Sequence, residues 1–194
     1  MAQDDGIPGD DVVLRPCREA DLPAVTAIYA RAVITGRASF ELEPPDEAEM
    51  GRRRAALVDG GYPYLVAERA GAVVGYAYAG PYRTRPAYRG TVENSVYVRP
   101  DQAGRGLGRL LLERLIAEAT AAGFRQMVAV IGDSHNAASI ALHAALGFRH
   151  VGVLASVGWK HGAWLDTVLM QRPLGSGDRS PPDDGLGDGT PPAG

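Results

Sequence analysis

The feature that most constrains this chain is a strand, a glycine loop and a leucine-rich helix in direct succession across residues 93–119. Residues 91–98 are rich in β-branched side chains and read as a strand. Gly104-Arg105-Gly106-Leu107-Gly108 follows. Leu107, Leu111 and Leu115 then recur beside Leu112, Ile116 and Ala119 as two adjoining apolar rows, the spacing of an amphipathic helix, which Gly123 ends. Such a loop lets the backbone curl until successive N–H groups converge. The helix start adds unpaired donors and the positive end of its dipole, so the turn can cradle a pyrophosphate. Glycines before a helix are also the mark of a plain turn, so the loop alone leaves both readings open. It is not a P-loop, because no Lys-Ser/Thr pair follows the last glycine. The dinucleotide fingerprint fails as well, since Leu111 sits three residues beyond Gly108 and no acidic residue ends the next strand.

The rest of the pattern alternates between helix and strand periods. A short strand at 12–15 precedes a helix that Asp21 can cap, with Leu22, Val25, Ile28 and Ala32 on one face. A second helix starts near Asp46, where Glu49 suggests a capping box, and stops at Gly60-Gly61. Strands at 64–68 and 72–78 form a hairpin across Gly71, and 126–131 is a continuous apolar run suited to a buried strand. A helix at 136–146 and two closing strands, 151–159 and 164–171, complete the order β-α-α-β-β-β-α-β-α-β-β. This is an α/β (α+β) domain.

Composition narrows the function classes. The chain of 194 residues fits one domain of ordinary size with tails, here 12–174 between an acidic flexible segment at 1–11 and a Gly/Pro/Asp-rich segment at 175–194 expected to be disordered. The two tails carry −4 and −3 of the net charge of −3, leaving +4 on the middle section. Its basic residues are all arginine except Lys160, which suits an anionic ligand without forming a nucleic-acid arm. Cys17 is the single cysteine, so there is no disulfide framework, and a metal cluster lacks ligands. No apolar run approaches the roughly eighteen residues of a membrane span. The N-terminal acidic residues do not make a targeting signal, so a cytoplasmic enzyme that contacts neither membrane nor nucleic acid is expected.

The run Val96-Tyr97-Val98-Arg99-Pro100 into the glycine loop, followed by Asn136, Ala138 and Leu142-His143-Ala144-Ala145-Leu146-Gly147-Phe148, resembles the GNAT superfamily of acetyl-CoA-dependent N-acetyltransferases. Thr91-Val92-Glu93-Asn94-Ser95, Val128-Ala129-Val130-Ile131-Gly132 and Gly158-Trp159-Lys160-His161-Gly162-Ala163-Trp164-Leu165-Asp166 are similar, more narrowly, to its phosphinothricin and methionine sulfoximine/sulfone acetyltransferase branch. The resemblance spans about residues 12–172. It implies a GNAT-type fold: a mixed central sheet of about seven strands with helices on both faces, splayed between strands 4 and 5.

In that fold the pantetheine arm of acetyl-CoA enters the splay and pairs with backbone of Val96 and Val98, beside Tyr97, by strand addition. Gly104, Arg105, Gly106, Leu107, Gly108 and Arg109 take the pyrophosphate, while Asn136 and Ser139 touch the pantetheine or nucleotide end. The superfamily pattern has Gln or Arg where this chain has Ala103, with Gln102 beside it. Transfer to an amine needs a neutral nitrogen, a polarised thioester and a proton for the leaving thiolate. Glu93 is the candidate base, and the resemblance makes His143 the second catalytic group; each has a plain alternative, an arginine-paired carboxylate and a hydrogen-bonded core histidine. Arg83 and Arg85, on a proline-bracketed loop with Tyr88, suit a carboxylate and a phosphinyl or sulfone group, and Phe40 is placed in the same substrate pocket. The expected substrate is therefore a small amine of that type, with no metal. The closing hairpin resembles a dimer-forming element, so a homodimer is expected. The rival readings are acetylation of a protein N-terminus, polyamine or antibiotic, and a non-catalytic CoA sensor.

Overall fold

The computed structural model describes residues 12–181. In chain order it contains β1 (Val12–Pro16), α1 (Leu22–Thr35), α2 (Glu47–Asp59), β2 (Tyr64–Arg69), β3 (Ala72–Pro81), β4 (Thr91–Val98), α3 (Leu107–Ala121), β5 (Gln126–Gly132), α4 (Ala137–Ala145), β6 (Arg149–Lys160) and β7 (Ala163–Pro173). This is the order read from the periodicity. The seven strands form one sheet in the order β1-β2-β3-β4-β5-β7-β6. Neighbours run antiparallel except β4 and β5, which are parallel with α3 as their crossover. Two-residue turns close the hairpins: Ala70 and Gly71 between β2 and β3, His161 and Gly162 between β6 and β7, all at positive φ as a type I′ turn requires.

Strand alternation divides the core. Leu65 and Ala67 of β2 join Leu107, Leu111, Leu112, Leu115, Ile116 and Ala119 of α3 on one face, so both leucine rows of α3 are buried as their spacing predicted. Tyr64 and Val66 turn to the other face, where Val25, Ile28, Tyr29 and Val33 of α1 pack with Tyr76. Tyr76 stacks on Tyr97 with ring centroids 5.1 Å apart, which ties β3 to β4 on that side.

One local expectation needs correction. Asp21 stands at the start of α1, but its side chain does not cap that helix. It accepts from both terminal nitrogens of Arg15 and from the Arg18 N–H, so the stronger charge-assisted bonds take the carboxylate. Asp46 does cap α2, accepting from the Glu49 N–H at 2.8 Å. Of the tail assigned to 175–194, residues 175–181 are described. Here the Arg125 guanidinium donates to the carbonyls of Gly177 and Ser180 at 2.9 and 2.8 Å, and Leu174 is buried. Counting apolar side chains misses main-chain carbonyls gathered by one arginine. The segments 1–11 and 182–194 lie outside the described residues.

Candidate active site

The β4–β5 ladder is short. It runs from Thr91↔Gln126 to Asn94↔Ala129, yet β5 continues paired with β7 to Gly132. Among the described residues, nothing on β5 pairs with Ser95, Val96, Tyr97 or Val98. The sheet splays where the resemblance placed the opening, leaving a cavity of about 760 Å³ whose walls include Val96, Val98, Gly106, Gly108, Asn136 and Ser139.

The glycine loop forms one end of this cavity. Gly104 and Gly106 have φ of +76° and +79°, and Gly106 is the residue from which α3 starts. An added Cβ at either would meet nothing within 4 Å, so the left-handed backbone, not crowding, calls for glycine here. Leu107 lines the cavity through its position but its side chain is buried in the core, and Arg109 pairs with Glu113 at 2.9 Å along α3. Arg105 is exposed and is not among the lining residues. Gln102 accepts from Arg69 at 2.8 Å, so its side chain is engaged away from the role left open by Ala103. Asn136 caps α4, its Oδ1 accepting from the Ser139 N–H at 3.2 Å, which leaves its amide nitrogen for a ligand.

Glu93 and His143 lie on opposite faces of the sheet. Glu93 pairs with Gly80 on the α1–α2 side, on the same face as the Tyr78↔Ser95 pair. Burial pushes the Glu93 carboxyl above the usual range, and the positive charge of Arg83 opposes that shift. His143 sits under the other face, buried against Phe148. No hydrogen bond joins the two among the described residues. His143 meets Asn94 instead, with Nε2 3.0 Å from Oδ1, while Nδ1 is 2.8 Å from the Ser139 carbonyl. The amide is oriented by its Nδ2, which donates to the Val128 carbonyl at 3.3 Å. An acceptor therefore faces each ring nitrogen. Burial pushes the ring below its ordinary value and the Ser139 carbonyl counters it. Asn94 was not singled out from sequence, though a buried amide among valines in a strand was the available signal.

The four substrate-side candidates are exposed. Arg83 stands over the Tyr82 ring at 5.0 Å, Arg85 and Tyr88 follow it on the loop that feeds β4, and Phe40 lies in the segment between α1 and α2. None of them is among the residues that line the splay cavity. Among the described residues no group of three His, Cys, Asp or Glu is arranged to hold a metal, and no helix is long and apolar enough to cross a membrane.

A splayed parallel pair, a left-handed glycine turn at a helix start and a carboxylate beside the gap define an acyltransferase of the GNAT type. Residues 26–148 match the Acetyltransferase (GNAT) family, and the chain belongs to it. It is 58% identical over 170 residues to phosphinothricin N-acetyltransferase of Alcaligenes faecalis, covering 88% of this chain and 86% of that protein. To the L-methionine sulfoximine/L-methionine sulfone acetyltransferase of Pseudomonas aeruginosa it is 48% identical over 159 residues, covering 81% and 92%. A crystal structure of a phosphinothricin acetyltransferase from Sinorhizobium meliloti in complex with AcCoA superposes with a TM-score of 0.88 at 49% identity, covering 91% of this chain and 96% of that one.

Proposed function

We propose that this chain moves an acetyl group from acetyl-CoA to the α-amine of a small amino-acid analogue such as phosphinothricin, methionine sulfoximine or methionine sulfone. The observation that carries the reading is the end of the β4–β5 ladder at Asn94↔Ala129, which opens a channel with Glu93 on one face and His143 on the other. The loop N–H groups at Gly104, Gly106 and Gly108 suit the diphosphate, and the unpaired edge of β4 suits an amide-bearing arm. Bound there, acetyl-CoA supplies an acetyl thioester.

On the acceptor side Glu93 takes the ammonium proton, directly or through a water, and releases a neutral amine for direct attack. Arg83 and Arg85 hold the substrate's carboxylate and its tetrahedral phosphinyl or sulfone group, with Tyr88 and Phe40 shaping the pocket. His143, on the thioester face, is the second catalytic group, its ring held by Asn94 and the Ser139 carbonyl. Cys17 is buried near the first strand, so no acyl-enzyme is invoked. Thiol release from acetyl-CoA, followed with each of the three amines, is expected to show turnover. Silence with all three, alongside retained CoA binding, would leave the sensor reading in its place.

We further propose a homodimer through the β6–β7 hairpin. β6 is an edge strand, and its outward residues Val151, Val153, Val157 and Trp159 are 47–57% exposed. Trp159 and Trp164, 57% and 64% exposed, pack edge to face with centroids 5.3 Å apart. A long apolar edge of this kind needs a cover. Light scattering is expected to give twice the chain mass, and Trp164→Glu to give the monomer; a monomeric parent protein would end this reading.

A further inference from the structure

We infer that Lys160 is a positioning residue for the acceptor amine: from the tip of the closing hairpin it fixes the 36–41 segment that carries Phe40. Lys160 is the chain's only lysine and is 3% exposed. It ends β6, where strand alternation sends Trp159 outward and Lys160 inward. Its Nζ donates to the Ser39 carbonyl at 2.7 Å, joining residues 121 positions apart. An ammonium held out of water is costly unless it is well bonded, so this contact is a specific strut rather than incidental packing. The Glu41 carboxylate favours the charge that burial disfavours.

The bonds around Phe40 converge on the residues flanking it. The Tyr29 hydroxyl lies 3.0 Å from Ser39 Oγ and donates to Glu41 Oε1 at 2.9 Å, and Arg53 donates to the same oxygen at 2.6 Å. His161, next in the hairpin, reaches the Gly36 carbonyl at 3.3 Å. Phe40 itself has few polar anchors. Its ring lies against Gly158, where an added Cβ would overlap it, and 37% of the residue remains exposed. The same segment borders the mouth of the splay, since Gly36 and Ala38 line the cavity and the Ala38 carbonyl touches Gly132 at the end of β5. One wall of the acceptor pocket is thus held by a hairpin far from it in sequence, and Lys160 is the charged link.

This inference rests on the acceptor pocket assigned above. Steady-state rates of Lys160→Met, with each substrate varied in turn, are expected to show the amine KM raised about tenfold, with kcat and the acetyl-CoA KM changed less than about twofold. A merely structural lysine would reduce the folded fraction and hence kcat, leaving both KM values in place, and that result would overturn the role. Tyr29→Phe keeps its ring in the core and removes only the hydroxyl shared by Ser39 and Glu41. It is expected to raise the amine KM in the same direction by a smaller factor, and it decides the matter if Lys160→Met does not fold. An unchanged amine KM in an active, folded variant sinks the positioning role alone. Absence of turnover by the parent protein sinks the function reading, and this role with it.

Discussion

Glu93→Gln is expected to lower kcat/KM by about 10²- to 10⁴-fold, the range a positioned general base contributes. The substitution keeps the side chain's size at a half-buried position paired with Gly80, so the strand and the splay are retained. What is lost is the proton acceptor. The pH profile carries a second, independent signature. Glu93 works ionised, and burial raises its pKa above that of an exposed glutamate. The parent rate should therefore climb with pH through that raised pKa, at higher pH than an exposed glutamate would give, and the residual rate of the variant should lack this limb. Arg83 opposes the upward shift, so removing its charge should move the limb to still higher pH. A Glu93→Gln protein with full rate across neutral pH would dismiss Glu93 as the base.

The next largest effect is expected at the glycine turn. In a Gly104→Ala/Gly106→Ala protein each alanine must hold a left-handed backbone, at about 1–2 kcal/mol apiece. Open space around both positions means that strain is the whole cost. An empty loop relaxes to negative φ, which swings the N–H groups off the diphosphate, and binding must then restore the strained form. Acetyl-CoA affinity measured by calorimetry should fall by about 30- to 700-fold, from the summed strain at about 1.4 kcal/mol per decade. The rate at saturating acetyl-CoA should change little, because the turn lies away from Glu93. Affinity within threefold of the parent protein would show that these amides do not bind the diphosphate.

These two sites were legible for different reasons. The glycine turn and the leucine rows of α3 are local, written within about fifteen consecutive residues by the 3.6 period and by residues tolerant of positive φ. Glu93 was found through a motif, and its neighbour Asn94 was passed over although strand alternation alone puts the two on opposite faces. The pairing of Asn94 with His143 spans 49 positions, and the strut from Lys160 to Ser39 spans 121. No periodicity encodes such bonds. The contacts of Gly177 and Ser180 are equally non-local, since Arg125, just before β5, gathers their carbonyls.

The amino-acid sequence by itself determined which segments are helix or strand, their order, and the strand–turn–helix unit able to hold a diphosphate, because each depends on neighbours within a few turns of chain. The packing of the whole chain is what parts β4 from β5 after Asn94, puts Glu93 and His143 on opposite faces of the sheet, and sets the Phe40 ring against the far hairpin. Those outcomes depend on sheet order and on which distant strands outcompete one another for pairing, and a one-dimensional pattern carries no record of that competition.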